Sequence, residues 1–543
     1  MRNWQKTLAV LLAAGMALGT TACGQDTTNK ESGSSAAESG SAAESSSTVV
    51  EEAKDPVTLE WYFRGNGQQD DTDKVEEAVN ELLKEYPGLE HVSININCFP
   101  SSDYAQQVAL SQTSGAQMDI VNSVNLDFYQ QVEYGTWMPM DEYISDELKE
   151  NLPDWLWEMG TVDGQIYMVP NYQNAFNTQY LFFPKEYMDK YGDYDAMKAT
   201  LQDESLSLAE KAACLEEYVM AVREGEGDTK YAARLGQGAD SGSYGFGFTT
   251  PFDKIINKFI VVDGTNQVIH AYEQDFFKES WAIYADWYDK GIFSPDGEAT
   301  EVKNYYYGNM MQETSSVFCP KEMYGTEERA AKTYAEQWGF EVVAIQTQPY
   351  NFIQKSWGAG GNGISSTSEH PEEAAKFLEA INTGSEIGKK IYNTLVFGLE
   401  GEHWVWEDEA NDRIRTLEYD GSQGSVDTSY AGLKWIIGNS FYAYKNQAVL
   451  DDQYPVAKEL NESPDTVTSS LIGFVPDTSS IQTQLEQITA VEKEYDGALN
   501  SGTKGSAGWE AHYNEMFEKM REAGLDEVKA ELQRQLDEFL ANK

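Results

Sequence analysis

The sequence predicts an α/β chain of more than one domain that begins with a mainly parallel sheet covered by helices. Two observations carry this: the apolar spacing switches repeatedly between strand and helix periods, and the folded part is too long for one core. In Val57-Thr-Leu-Glu-Trp-Tyr62 the residues Val57, Leu59 and Trp61 recur at every second position, which places them on one face of a strand. Val75, Val79, Leu82, Leu83 and Tyr86 then follow at helical spacing, with Asp73 and Glu76 expected as the cap and Pro87-Gly88 as the stop. Val92 to Asn97 reads as a second strand, Tyr104 to Gln112 as a helix and Met118 to Val121 as a third strand. Repeated strand–helix–strand units imply parallel pairing with both faces covered. The 488 residues from Pro56 to Lys543 exceed what one core holds, so two or three domains are expected.

Two loops leave the C-terminal ends of these strands: Arg64-Gly-Asn-Gly-Gln-Gln-Asp-Asp71 after the first and Asn122-Ser-Val-Asn125 after the third. Ligands of open parallel sheets bind at that edge. Amide side chains there form hydrogen bonds without a charge to neutralise, although Gly65, Gly67 and the asparagines serve equally as plain turn formers.

The first 55 residues are read apart from the fold. Arg2 and Lys6 precede an apolar run from Leu8 to Leu18, which is too short to span a bilayer. Thr20-Thr21-Ala22-Cys23-Gly24 follows, and Ala22-Cys23-Gly24 resembles the lipobox of bacterial lipoproteins. Thr20 stands where that motif usually has leucine, and the small residues also suit an ordinary signal peptidase. The expectation is a signal peptide over 1–22 and lipidation at Cys23, followed by a tether over 23–55. Gly24 to Asp55 has no aromatic residue and is rich in Ser, Ala, Glu and Gly, so it cannot bury enough apolar surface to fold. As a flexible coil it reaches on the order of 30 Å.

The chain has 39 basic and 90 acidic residues and a formal net charge of −51. A field of that sign repels phosphate backbones and anionic lipids, so nucleic acid is not an expected partner, and the membrane is reached through the lipid anchor alone. Cys98, Cys214 and Cys319 are widely spaced, with no CxxC pair. They are read as small buried hydrophobes, with one disulfide plus a free thiol left open. No later segment approaches 18 consecutive apolar residues.

Asp163-Gly-Gln-Ile-Tyr-Met-Val-Pro-Asn171 is a turn followed by a strand that stops at proline. With the order of elements before it, this segment resembles the solute-binding proteins of bacterial ABC importers, specifically extracellular family 1, which includes carbohydrate binders. Gly361-Asn-Gly-Ile-Ser-Ser-Thr-Ser-Glu-His-Pro-Glu-Glu-Ala-Ala-Lys-Phe-Leu-Glu379 resembles that family's late strand, Ser/Thr turn and helix. Trp435-Ile-Ile-Gly-Asn439 and the helix from Ala523 to Phe539 are similar to elements of its large lipoprotein subgroup. Read without the resemblance, these segments are helix starts and amphipathic stripes, with no chemistry of their own.

The resemblance implies a two-lobe periplasmic-binding-protein-like fold of the Venus flytrap kind, each lobe a mainly parallel sheet flanked by helices, with extra C-terminal helices. Lobe 1 would hold 56–169 and 318–361, and lobe 2 would hold 170–317 and 362–543. Tyr305-Tyr-Tyr-Gly308 and Ser315-Ser-Val-Phe318 would lie near the second crossing. The protein would be a monomer on the extracytoplasmic face of the cell membrane, with ABC permease subunits as partners, no cofactor, and ATP hydrolysed by another polypeptide.

The chain has 13 Trp, 32 Tyr and 22 Phe. Sugars present apolar C–H faces and a rim of hydroxyls, so their sites pair aromatic platforms with polar side chains. Candidate platforms are Trp61, Tyr172, Tyr306, Trp357 and Trp435, each at a strand end, crossing or loop, and each equally open to a packing role. Polar candidates are Arg64, Asn66, Gln68, Asn122, Asn125, Gln173, Asn174, Asn362 and Asn439. Trp281 and Trp287 lie on a periodic helix and read as core; Trp155 and Trp157 stay open. Neutral oligosaccharide is the leading expectation, an acidic one paired with Arg64 the second, and a peptide or other small solute stays open.

Catalytic signatures are weak. Gly358-Ala-Gly360-Gly-Asn-Gly363 matches GxGxxG, but the helix starts only near His370, whereas a dinucleotide loop needs a helix N-terminus at the glycines. The five histidines have no paired zinc spacing, and there is no GxSxG elbow or P-loop. A surface-tethered glycoside hydrolase remains as the alternative, because a carboxylate pair cannot be recognised from sequence among 90 acidic residues.

Overall fold

The computed structural model describes residues 54–126, 128–234, 248, 252–293, 316–323, 326–347, 352–353, 360–417, 429–447, 449–464 and 466–543. Strand β1 (Val57–Arg64), helix α1 (Thr72–Leu83), β2 (Val92–Phe99), α2 (Tyr104–Ser114) and β3 (Ile120–Asn122) follow the order set by the periodicity. β1 pairs in parallel with β2 on one side and β3 on the other. One local expectation differs. The residue before α1 is Asp71, with no side-chain cap, and Glu76 instead accepts the backbone N–H of Ile96 on β2 at 2.7 Å.

The Asp163-Gly164 turn joins β4 (Thr161–Val162) to β5 (Gln165–Ile166). Its φ angles of 50° and 79° are the left-handed pair that a two-residue hairpin turn requires. β6 (Val169–Pro170) enters the first sheet and ends at the proline, which has no N–H to continue the ladder. The chain then crosses through 171–175 into β7 (Phe176–Pro184), the central strand of a second sheet.

After α3 (Leu208–Glu226) come β8 (Phe252–Ile256), β9 (Phe259–Val262) and β10 (Val268–His270), which form an antiparallel meander, and then α4 (Asp275–Asp289). β11 (Cys319–Met323) pairs antiparallel with one side of β7. β12 (Val342–Gln346) and β13 (Phe352–Ile353) pair antiparallel with its other side. The second sheet is therefore antiparallel around β7, not mainly parallel as expected. Helix α5 (Glu327–Trp338) covers it, with the Tyr334 and Trp338 rings 4.8 and 5.7 Å from that of Phe182.

β14 (Gly361–Ile364) returns to the first sheet between β3 and β6, antiparallel to both. A Cβ on Gly363 would sit 2.3 Å from the Tyr167 carbonyl oxygen, so glycine lets the backbones approach there. Helices α6 (Pro371–Ala380) and α7 (Glu386–Phe397) pack on this sheet, followed by the hairpin β15 (Trp404–Asp408) and β16 (Arg413–Thr416) and the one-turn helix α8 (Lys434–Ile437). β17 (Val467–Thr468) pairs with β13, and α9 (Gln482–Asn500), α10 (Gly505–Glu522) and α11 (Leu525–Asn542) close the chain.

Two large cores result. One gathers Leu59, Trp61, Val75, Ile94, Phe377 and Ile391 around the first sheet. The other gathers Phe182, Phe183, Trp281, Trp287, Leu485, Met516 and Leu532 around the second. The strand pairing differs from the sequence boundaries. β11 and β12, expected with the first lobe, hydrogen-bond β7. β14, α6 and α7, expected from residue 362 onward in the second lobe, lie in the first core. Apolar alternation marks a strand but does not name its partner, which is why the order of returns was misread. Trp281 and Trp287, each 1 % exposed, are core as read. Cys98, Cys214 and Cys319 are all free, and Cys214 is only partly buried. Among the described residues no helix is long and apolar enough to cross a membrane.

Candidate functional site

The loop after β1, the loop after β3, the 171–175 crossing and the 429–440 segment converge at one edge of the first sheet. Gly65 lies flat on β2: a Cβ there would meet the Cys98 sulfur at 2.5 Å. Asn66 Nδ2 and Gln69 Nε2 both donate to the Ala431 carbonyl at 3.0 Å, and the Ala431 N–H donates back to Gln69 Oε1 at 2.9 Å. The cavity lined by Gly65, Asn66, Gly67, Cys98, Tyr430 and Gly432 measures about 10 Å³, room for one water and no sugar. Burial pushes the Cys98 thiol up to about 11 although the Gly67 and Asn66 N–H groups face it, so it is no nucleophile at neutral pH.

Five of the sequence-chosen residues are buried rather than presented, Tyr172 among them. Trp61 and Asn122 are 0 % exposed, Asn362 1 % and Asn439 2 %. Asn362 Oδ1 accepts from Trp61 Nε1 at 3.0 Å and from Asn122 Nδ2 at 3.2 Å, while Asn362 Nδ2 donates to the Ile436 and Ile437 carbonyls, each at 3.2 Å. Asn171, which the sequence reading passed over, donates from Nδ2 to the Trp435 carbonyl at 3.1 Å and the Ile436 carbonyl at 2.8 Å. Asn439 Oδ1 accepts the Phe441 N–H at 3.1 Å. The amides of Asn122, Asn171 and Asn362 satisfy carbonyls that a helix of four residues leaves open, and so fasten α8 to the sheet. The signal for Asn171 was its place directly after the Val169-Pro170 strand end.

Tyr172 is 0 % exposed and no open platform. Its hydroxyl donates to Glu462 at 2.9 Å, and burial, reinforced by that carboxylate, pushes the phenol well above its ordinary range. Asn461 holds the same crossing, accepting from the Ala175 N–H at 2.9 Å and donating to the Gln173 carbonyl at 2.8 Å.

The remaining candidates face outward. Trp435 is half-buried, with the Arg64 guanidinium carbon 4.8 Å from its ring centroid. Arg64 Nη1 is enclosed and has no hydrogen-bond partner among the described residues. Asn66, Gln68 and Asn125 are exposed, and Gln173 and Asn174 are half-buried. Asn125 holds φ at 66°, a left-handed turn that asparagine tolerates. Tyr306, Trp357 and Cys23 lie outside the described residues. The edge thus presents an aromatic ring, a cation and several amides, a set suited to hydroxyl-rich ligands.

A family model described as a domain of unknown function, DUF3502, matches residues 470–541, which include the three closing helices. Over its whole length the chain is 26 % identical to a carbohydrate ABC transporter substrate-binding protein of Streptococcus pneumoniae serotype 4 (strain ATCC BAA-334 / TIGR4), of which it covers 100 %. In sequence over its whole length, and in fold, the chain is similar to substrate-binding proteins of carbohydrate ABC transporters. The crystal structure of the N-glycan transport solute binding protein NgtS from S. pneumoniae superposes with a TM-score of 0.68 at 22 % identity, covering 90 % of this chain and 99 % of that one. The same protein in complex with Man5GlcNAc gives a TM-score of 0.56 at 22 % identity over 90 % and 99 %. The two sheets and cores are therefore the two lobes of a periplasmic-binding-protein-like fold. Residues 171–175 form the first crossing between them.

In this chain the GxGxxG match contains a strand. β14 takes up Gly361 and Gly363, and the next helix begins at Pro371, so no helix N-terminus meets the glycines. Among the described residues no group of three or more His, Cys, Asp or Glu is placed to hold a metal ion.

Proposed function

We propose that the protein is the extracytoplasmic receptor of an ABC importer. It captures an oligosaccharide between its lobes and hands it to the permease as a monomer anchored through a lipid on Cys23. The observation that carries the ligand class is the half-buried Trp435 under Arg64, at a sheet edge whose loops and crossing also carry the exposed Asn66 and Asn125 and the half-buried Gln173 and Asn174. Full-length similarity to a carbohydrate transporter's binding protein, and the glycan in the NgtS complex, support the same reading. A sugar ring stacks on the indole and its hydroxyls meet the amides. Closure then buries it to the extent that the closed state binds it better than the open one.

The test is a thermal-shift and calorimetric screen of purified mature protein against Man5GlcNAc and a panel of neutral and acidic oligosaccharides. Saturable stabilisation of about 2.7 kcal/mol at a hundredfold excess over Kd, with the saccharide recovered intact, is the expected result. Release of new reducing ends would instead make the protein a hydrolase. Membrane fractionation checks the anchor: Cys23→Ser should move the protein into the medium.

A further inference from the structure

The segment carrying Trp435 is fastened both to the first sheet and to the start of the crossing. Asn122 and Asn362 tie it to the first sheet. Asn171 and Tyr172 tie it to the crossing: Asn171 Nδ2 reaches the Trp435 and Ile436 carbonyls, and the Tyr172 carbonyl accepts the Ser440 N–H at 2.8 Å and its hydroxyl at 3.1 Å. Trp435 thus offers its ring to the rim and its own carbonyl to the first residue of the crossing. Asn171, Asn362 and Asn122 are each at most 1 % exposed, so their bonds cannot be exchanged for water one at a time. The lobes are joined through 171–175, where a rotation is absorbed by backbone torsions at the crossing, and Asn461, on a helix that packs against the first core, holds Gln173 and Ala175 within that segment.

Resting on the oligosaccharide-receptor reading above, we infer that Asn171 is a positioning residue that links the orientation of Trp435 to the hinge. Seating a ligand on the ring thereby biases the 171–175 crossing toward closure. The link works in both directions, because a coupling between two sites is reciprocal in free energy.

The experiment compares wild type with Asn171→Ala, and with Ser440→Ala as a milder second variant that keeps the backbone N–H bond to Tyr172. In ligand-free protein, hydrogen exchange should rise at the Ser440 amide and also at the Ala175 amide across the crossing, while β7 stays protected. Exchange rising at Ser440 alone would overturn the coupling. With Man5GlcNAc as probe, Asn171→Ala should lose about tenfold in affinity, and spin labels placed one in each lobe should no longer approach at saturation. Labels closing to the wild-type distance would overturn it. If wild type binds no saccharide, the receptor reading fails, and the ligand-free exchange pattern still decides the link.

Discussion

The indole N–H of Trp61 donates to Oδ1 of Asn362 at 3.0 Å, joining residues 301 positions apart in the chain, and both are buried. The bond ties β1 to β14 at the end of the sheet that carries the candidate site. Asn362→Ala would leave the Trp61 N–H, the Asn122 amide and the Ile437 carbonyl short of a partner. A loss of about 2–4 kcal/mol in urea denaturation is expected, from unpaired buried groups at about 1–3 kcal/mol each with partial relaxation. Trp61→Phe removes one donor and some volume and should cost about 1–2 kcal/mol. Saccharide affinity, measured where the variant is folded, should hardly change for Trp61→Phe, whereas a platform residue would lose it.

That pair also marks what could be read from sequence. Periodicity revealed β1, α1, β2, α2 and β3 because each buries one face, and a buried face leaves its spacing in the chain. It also put Trp61 on β1 and Asn122 at the end of β3, whereas Asn362, read with the second lobe, lies on β14 of the first sheet. It could not say whether an amide there meets a ligand or a distant carbonyl, since the acceptor of Asn122 is Ile436, 314 residues later. Trp435 and Arg64 were legible as types and positions, but their stacking was not. The differing placement of β11, β12 and β14 has the same origin, because which sheet a strand joins is a property of its partner's edge.

Under the closing helices, Lys258 Nζ lies 2.8 Å from Glu492 and 3.2 Å from Asp496. Tyr272 donates its hydroxyl to Asp496 at 2.8 Å. His270 Nδ1 accepts the Tyr272 N–H, so its Nε2 is the nitrogen that donates to Glu492. Burial works against ionisation of Glu492, yet His270 and Lys258 hold its carboxyl below the ordinary range. For Asp496 burial wins and pushes the carboxyl up, despite Lys258 and Tyr272. The signs are opposite. Stability from Glu492 is present above the unfolded pKa of glutamate and is lost as pH falls through the lower folded value. Stability from protonated Asp496 is present below the unfolded pKa of aspartate and is lost as pH rises through the higher folded value. As pH rises above about 4, Asp496→Asn should therefore gain on wild type in denaturation midpoint, whereas Glu492→Gln should lose on wild type only as pH rises toward the unfolded pKa of glutamate and run parallel to it above that. Curves parallel to wild type at every pH would show that neither group titrates differently in the fold.

A second ion pair joins the lobes themselves. The Arg329 guanidinium at the start of α5 makes a two-pronged contact with the Asp452 carboxylate, Nη1 to Oδ1 at 2.6 Å and Nη2 to Oδ2. α5 packs in the second core, while Tyr454 and Leu460, on the helix after Asp452, pack against the first. Asp452 is 64 % exposed, so the pair is worth under about 1 kcal/mol and is screened by salt. Arg329→Met should lower the melting temperature slightly in low salt and not at all at about 1 M. A loss that persists in high salt would mean that the arginine's packing, and not its charge, holds the lobes.

The rim gives the sharpest test of ligand contact. Trp435 offers the large half-exposed ring there, and its backbone is held by Asn171 from the crossing. Trp435→Ala removes the ring but keeps the carbonyl that Asn171 uses, so the fold should survive while oligosaccharide affinity drops at least tenfold, about 1.4 kcal/mol. Trp435→Phe should recover part of that loss, because a smaller aromatic face still stacks. Arg64→Met keeps an apolar stem beside the indole and removes the charge. For a neutral glycan it should weaken binding only a few-fold, with no dependence on ionic strength. For an acidic glycan the loss should be larger and should shrink as salt rises, because Arg64 would then face a carboxylate. Calorimetric titrations of the three variants at two salt concentrations separate these cases. An unchanged Kd for Trp435→Ala would remove the ring from the site and leave the amides of Asn66, Asn125, Gln173 and Asn174 as the ligand-facing groups.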